Sequence, residues 1–122
     1  MFYVCVDFDG TMVHHQYPEI GYPVPGAINT IKWLQQNGAK IILWTMRSGE
    51  ELGAAVKYCE DHDIELHGVN HNPDQEIWTS SPKAYAHYYI DDAAVGCPLL
   101  SVFQGRPIVN WREIKEYFES IL

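Results

Sequence analysis

The sequence is short of positive charge. Lysine and arginine together number 8 against 16 aspartates and glutamates, a formal net charge of -8 over 122 residues. Nucleic-acid backbones are held mainly by Lys and Arg on phosphates, so this balance argues against DNA or RNA as the main partner. It leaves room for a small phosphorylated ligand, because one Mg²⁺ and one lysine can offset charge locally. Cysteine is sparse too. Cys5, Cys59 and Cys97 are an odd set without close spacing, which excludes a disulfide framework and reads as reduced thiols in a cytoplasmic protein. No apolar run approaches ~18 residues, so no membrane span is expected. A strand-like run starts almost at the first residue, which leaves no signal peptide in view. Repeats, low-complexity tracts and linkers are also missing. The expectation is one globular domain over residues 1–122, with 47% hydrophobic residues and enough length for a real core.

What is present is concentrated at Tyr3-Val-Cys-Val-Asp-Phe-Asp-Gly-Thr-Met12. An apolar run stops at two carboxylates, Asp7 and Asp9, and Gly10 and Thr11 follow at once. Residues i and i+2 of a strand share a face, so the two carboxylates project together unless the chain turns between them. Two close anions at the end of a buried strand repel each other, and burial adds to the cost of keeping both ionised. A divalent cation relieves both effects, and hard oxygen ligands suit Mg²⁺. A carboxylate beside Mg²⁺ can also act as a nucleophile toward phosphorus.

Strands are expected over Phe2–Val6, Lys40–Trp44 and Tyr85–Ile90, with a short one at Ile64–Leu66 and weaker ones at Leu99–Phe103 and Ile108–Val109. Helices are expected from Pro25-Gly26 to Asn37-Gly38, from Ser48 to about His62, and from Trp111 to Leu122. Ser48 can cap the second of these, with Glu51 in the capping-box position. Residues 10–25 read as an irregular loop or small hairpin, and residues 67–81 mostly as loop. Strands alternating with helices favour a three-layer, Rossmann-like α/β fold with a mainly parallel sheet. In such sheets ligands bind beyond the carboxyl ends of the strands.

The three best strands end at Asp7/Asp9, at Thr45 and at Asp91/Asp92. Each of these also has an ordinary structural reading: a turn, a cap, a turn before Ala93. Lys83, after Pro82, would usually be solvated; it gains interest because a phosphate site needs a cation. Arg47, two residues beyond Thr45, can fork onto an anionic group. His14, His15, Tyr17, Asn70, His71 and Asn72 are further candidates at the mouth, or simply exposed loop residues. Trp33, Trp44, Trp78 and Trp111 read as packing residues rather than stacking platforms.

Asp7-Phe-Asp9-Gly10-Thr11, Thr45 after Ile-Ile-Leu-Trp, Lys83, and Asp91-Asp92 after Tyr-Tyr-Ile together resemble the four ordered motifs of the haloacid dehalogenase-like phosphohydrolases. The resemblance covers most of the chain. It implies that Asp7 is the nucleophile that forms an aspartyl-phosphate and that Asp9 is the general acid and then base. It implies that Thr45, Lys83 and Gly10 contact the phosphate, with Arg47 beside them. It also implies that Mg²⁺ sits among Asp7, Asp91, Asp92 and Asp9, the last through its main-chain carbonyl. An Asp at the position of Asp9 is the pattern of phosphatases and phosphotransferases, not of dehalogenases. Lys83 and Asp91 lie closer in sequence than these motifs do in many relatives. Neither connecting loop is long enough for a cap domain, so a capless member with an open site is expected. Such a member acts on a small phosphorylated substrate or a phosphorylated macromolecule, or borrows a lid from a second subunit.

Two other classes remain in view. A phospho-accepting receiver domain stores phosphate on an Asp beside Mg²⁺, but there the acidic pair comes first and Thr and Lys come late, the reverse of the order here. A non-catalytic module on the same fold is the second.

Overall fold

A computed structural model describes residues 1–122. Strands β1 (Phe2–Val6), β2 (Ala39–Leu43), β3 (Leu66–Val69) and β4 (Tyr88–Ile90) form a parallel four-stranded sheet in the order β3-β2-β1-β4. Helix α1 (Ala27–Gln36) connects β1 to β2, and α2 (Gly49–Asp61) connects β2 to β3. Both crossovers step the same way along the sheet, and right-handed crossovers in one direction lie on one face. The return from β3 past β2 and β1 to β4 runs the other way and has to cover the opposite face. That stretch holds only a 3₁₀ turn at Pro73–Ile77 and loop. The fold is therefore an α/β, three-layer, Rossmann-like one with unequal outer layers.

Packing follows the alternation of the strands. Val4, Val6, Ile41 and Leu43 lie in a core cluster of 20 residues with Ala27, Ile31 and Leu34 of α1, Ala55 and Cys59 of α2, and Phe118 of α3 (Trp111–Ile121). Tyr3, Cys5 and Ile42 point the other way and share a cluster of 4 with Ala84. Each fully buried aliphatic side chain contributes about 1.5–3 kcal/mol, so the helical face carries most of the stabilisation. Burial also pushes the Cys5 and Cys59 thiols up to about 12, which suits them to packing and not to chemistry.

Several boundaries differ from expectation. The strand expected at Ile64–Leu66 is shifted to Leu66–Val69, because Ile64 is drawn into the core just after Asp63 takes a left-handed turn at φ 60. The strand expected at Tyr85–Ile90 is shortened to Tyr88–Ile90. Its first half is replaced by a side chain: the Tyr3 amide donates to Nδ1 of His87 at 3.0 Å, where a ladder carbonyl would have accepted. Ser48 makes no side-chain cap on α2; Glu50 and Glu51 in the first turn suit the positive end of the helix instead. In α3, Trp111 and Phe118 are the buried residues, while Tyr117 and Ile121 are about half exposed. The two weak strands, β5 (Leu99–Val102) and β6 (Gly105–Val109), pair only with each other as an antiparallel hairpin. No helix is long and apolar enough to cross a membrane.

Candidate functional site

The backbone ladder continues past the strand ends and levels them. The Asp7 amide donates to Ile90 O at 2.9 Å, Trp44 N to Val6 O at 2.9 Å, and Asn70 N to Leu43 O at 2.7 Å. Residues 7, 44–45, 70 and 91 therefore reach one rim. They line a cleft of about 370 Å³ formed by Asp7, Trp44, Thr45, Met46, Asn70, Pro82 and Asp91. The Thr45 amide donates to Asn70 Oδ1 at 2.8 Å, and Thr45 Oγ1 accepts from the Arg47 amide at 3.1 Å, so the hydroxyl keeps its own proton to donate.

Asp7, Asp91 and Asp92 bring carboxylate oxygens within 4.8 Å of one another. Thr11 Oγ1 donates to Asp7 Oδ2 at 2.9 Å and accepts from the Asp92 amide at 3.2 Å. His15 Nε2 lies 3.0 Å from Asp92 Oδ2. Burial, the adjoining Asp92 carboxylate and the Asp91 charge push Asp7 up to about 8, against the Thr11 hydroxyl, which pulls it down. No Lys or Arg ion pair reaches any of the three: Asp7 and Asp91 have no ion-pair partner, and Asp92 has only His15. Three hard oxygen donors converging with no Lys or Arg among them form a donor set that fits Mg²⁺. Asp91 lines the cleft beside Asp7, whereas Asp92 is engaged by His15 and Thr11.

Gly10 makes this packing possible. Its φ is +83, and a Cβ there would collide with His15 Nε2 and Asp92 Oδ2. Its amide donates to Val13 O at 2.7 Å, and its carbonyl accepts from Val109 N at 3.0 Å. The expectation that Gly10 contacts phosphate is thereby corrected: its N–H is spent inside the loop. Trp111 fixes the next residue, donating from Nε1 to Thr11 O at 2.7 Å.

Asp9 and Arg47 also depart from expectation, and they do so together. The chain turns at Phe8, whose ring is fully buried, so the Asp9 carboxylate leaves the face of Asp7 and does not join the acidic cluster. Both its oxygens accept from Arg47, Oδ2 from Nε at 2.8 Å and Oδ1 from Nη2 at 2.7 Å. The other guanidinium protons go to the carbonyls of Pro18 at 3.1 Å, Glu19 at 2.7 Å and Glu51 at 3.4 Å. Arg47 is only 3% exposed and lies between the Phe8 and Tyr17 rings, 5.0 and 5.2 Å from their centroids. With every donor taken, Arg47 has none left for a phosphate, which corrects its placement as a phosphate contact. It is a clamp on Asp9, and in this arrangement neither Asp9 oxygen offers a proton.

Lys83 is exposed and stands outside the acidic cluster, with Nζ 5.8 Å over the Tyr89 ring, one residue from the cleft-lining Pro82. Its loop is held by Gln75, a buried residue that the sequence did not single out. Gln75 Nε2 donates to Ser81 O at 3.1 Å and Lys83 O at 3.0 Å, and its Oε1 accepts from the Tyr85 amide at 2.7 Å. Of the other mouth candidates, Asn72 is fully buried and bonds Tyr85 O at 2.9 Å. His14 lines a separate depression with Tyr22, and His71 faces Glu76 at 3.7 Å. Trp111 is core, as expected, whereas Trp78 is 62% exposed and Trp44 lines the cleft.

No protein-family model matches the chain, and no curated protein matches it. A solved structure described as that of the conserved protein coded by a locus from Bacteroides thetaiotaomicron matches with a TM-score of 0.81 and 37% sequence identity, over 98% of this chain and 90% of that one. At that identity and over that span, this chain belongs to the family of the conserved Bacteroides thetaiotaomicron protein.

Proposed function

We propose that the chain is a capless, Mg²⁺-dependent phosphatase of the haloacid dehalogenase-like type, hydrolysing a phosphomonoester through an aspartyl-phosphate on Asp7. The observation that carries this reading is the convergence of Asp7, Asp91 and Asp92 within 4.8 Å, with no Lys or Arg among them, beside a cleft that Thr45 also lines. Asp7 and Asp91 would hold the ion, with Asp92 offering a further carboxylate oxygen. When bound, Mg²⁺ offsets the charge of the carboxylates and of the phosphoryl oxygens.

The chain's own groups then divide the work. One Asp7 oxygen attacks phosphorus as the ester P–O bond breaks. Thr45 and Lys83 are suited to meet the phosphoryl oxygens, the one with a hydroxyl proton and the other with an ammonium. Asp9, two residues from the nucleophile, would protonate the leaving oxygen and then take a proton from the water that releases phosphate from Asp7. For either role it has to leave the Arg47 fork, a charge-assisted bidentate pair.

That fork favours a second reading of the same site: a phosphotransferase, or a domain that accepts phosphate and releases it slowly. Incubation with p-nitrophenyl phosphate separates the two. Steady turnover in Mg²⁺ that is abolished by EDTA and restored by added Mg²⁺ is expected. A single burst of nitrophenol followed by a stall would favour the second reading, and full activity in chelator would defeat the metal assignment.

A further inference from the structure

We infer that the leaving group of the substrate is flat, apolar and uncharged, which makes the substrate a small aromatic monophosphate with no second anionic group. The inference rests on the phosphatase reading above. It comes from the half of the cleft that the chemistry does not use.

Trp44, Met46 and Pro82 share the cleft with Asp7, Thr45 and Asp91. Met46 follows Thr45 directly and is 97% exposed. Its thioether is polarisable and free to pack against a cleft occupant. The Trp44 ring lies 6.4 Å from that of Tyr89 at 59°, and the Tyr89 ring carries the Lys83 ammonium at 5.8 Å. An indole, a polarisable sulfur and a proline thus share the cleft with carboxylates, a hydroxyl and the Asn70 amide, the indole also packing on the Tyr3, Cys5, Ile42 and Ala84 cluster. Trp and Met favour planar, polarisable partners over flexible aliphatic ones.

Charge sets the second half of the inference. A substrate with another phosphate or a carboxylate needs another cation, and the chain has none to give. Arg47 is consumed by Asp9 and three carbonyls. Lys40 pairs with Asp74, Lys57 with Asp61 and Arg112 with Glu116. Lys115 lies over Trp33. Lys32 sits on α1, and Arg106 on the separate β5–β6 hairpin. Lys83 alone remains beside the cleft, and the phosphoryl group claims it. A second anion would meet the acidic cluster without relief.

The test compares three esters that all leave a primary alkoxide, so that leaving-group basicity does not decide the result: benzyl phosphate, n-butyl phosphate and 4-carboxybenzyl phosphate. The expected kcat/KM for benzyl phosphate exceeds each of the other two by about tenfold, the size of one aromatic contact plus the ring's buried area. Trp44→Ala and Met46→Ala should bring the benzyl-to-butyl ratio toward one. Met46→Ala keeps the test open if Trp44→Ala fails to fold, since Met46 is almost fully exposed. Equal kcat/KM for benzyl and butyl phosphate, a carboxybenzyl rate equal to the benzyl rate, or a ratio unmoved by Met46→Ala would overturn the inference and leave the phosphatase reading standing. If none of the three esters is turned over while p-nitrophenyl phosphate is, the inference falls and the phosphatase reading stands. If p-nitrophenyl phosphate is not turned over either, that reading falls and this inference falls with it.

Discussion

The two ends of the sheet treat a carboxylate in opposite ways. At the amino end, on the face without helices, Asp74 Oδ2 accepts from the Tyr3 hydroxyl at 2.7 Å, with His67 Nε2 at 2.9 Å and Lys40 Nζ at 3.5 Å. Those partners, the Tyr3 hydroxyl first, hold Asp74 below the usual carboxylate range. At the carboxyl end Asp7 sits in a more buried place, has Asp91 and Asp92 as neighbours, and is pushed up to about 8. The first end is electrostatically complete and needs nothing further. The second gathers three carboxylates with no Lys or Arg among them, where the proposed cation would bind. The same fold satisfies a carboxylate with Tyr, His and Lys at one end and does not do so at the other, which is the contrast the proposed site rests on.

Asp7→Asn attacks this contrast most directly. Turnover is expected to drop by at least about 10³-fold, since a carboxamide is a poor nucleophile toward phosphorus. Metal-free stability at pH 8 should hold or rise, because a neutral group replaces a carboxylate that burial disfavours. Phosphate release and thermal unfolding measured on one preparation check both parts, and a loss of both would make Asp7 a structural residue.

Arg47→Met is expected to be the next largest effect. It strands the Asp9 carboxylate, which is 19% exposed, together with the carbonyls of Pro18, Glu19 and Glu51. Breaking a buried pair by removing one partner costs about 3 kcal/mol, readable as a lower urea midpoint at unchanged slope. An unchanged midpoint would show that the clamp is dispensable to the fold.

The contrast also extends to pH, where the two ends should differ in sign. Asp7 has a raised folded value, so its contribution is fully present below the unfolded value of 3.8 and is lost as pH rises toward about 8. Asp74 has a lowered one, so its contribution is present above the ordinary range and is lost on acidification. Metal-free protein should therefore weaken between about pH 5 and pH 8, and Mg²⁺ or Asp7→Asn should flatten that slope. Asp74→Asn should alter only the acid limb. Urea midpoints across pH, with and without Mg²⁺, test this, and an identical alkaline slope in Asp7→Asn would refute the assignment.

The sequence was most legible where one strand could be read alone. Phe2–Val6 is a run of apolar, β-prone residues, and in a parallel sheet the chemistry collects at strand ends, so Asp7, Thr45 and Asp91 could be found from three local patterns. What escaped depended on contacts across the chain. The turn at Phe8 separates Asp9 from Asp7, but a buried ring is needed to force it. Arg47 looks like a free fork two residues past Thr45, until Asp9 and the carbonyls of a loop about thirty positions earlier take up most of its donors. His87 reads as a strand residue until its imidazole takes the Tyr3 amide. Gln75 lies in a polar stretch without any periodic signal, yet it is buried and holds the Lys83 loop.

The bond from Trp111 to the Thr11 carbonyl spans 100 positions, and Val109 reaches Gly10 in the same way. While the polypeptide emerges from the ribosome, the loop that carries Thr11 therefore waits for its anchor until Trp111 has been made. Nascent chains shorter than that lack the bolt that aligns the loop, so its final setting should come late in biosynthesis.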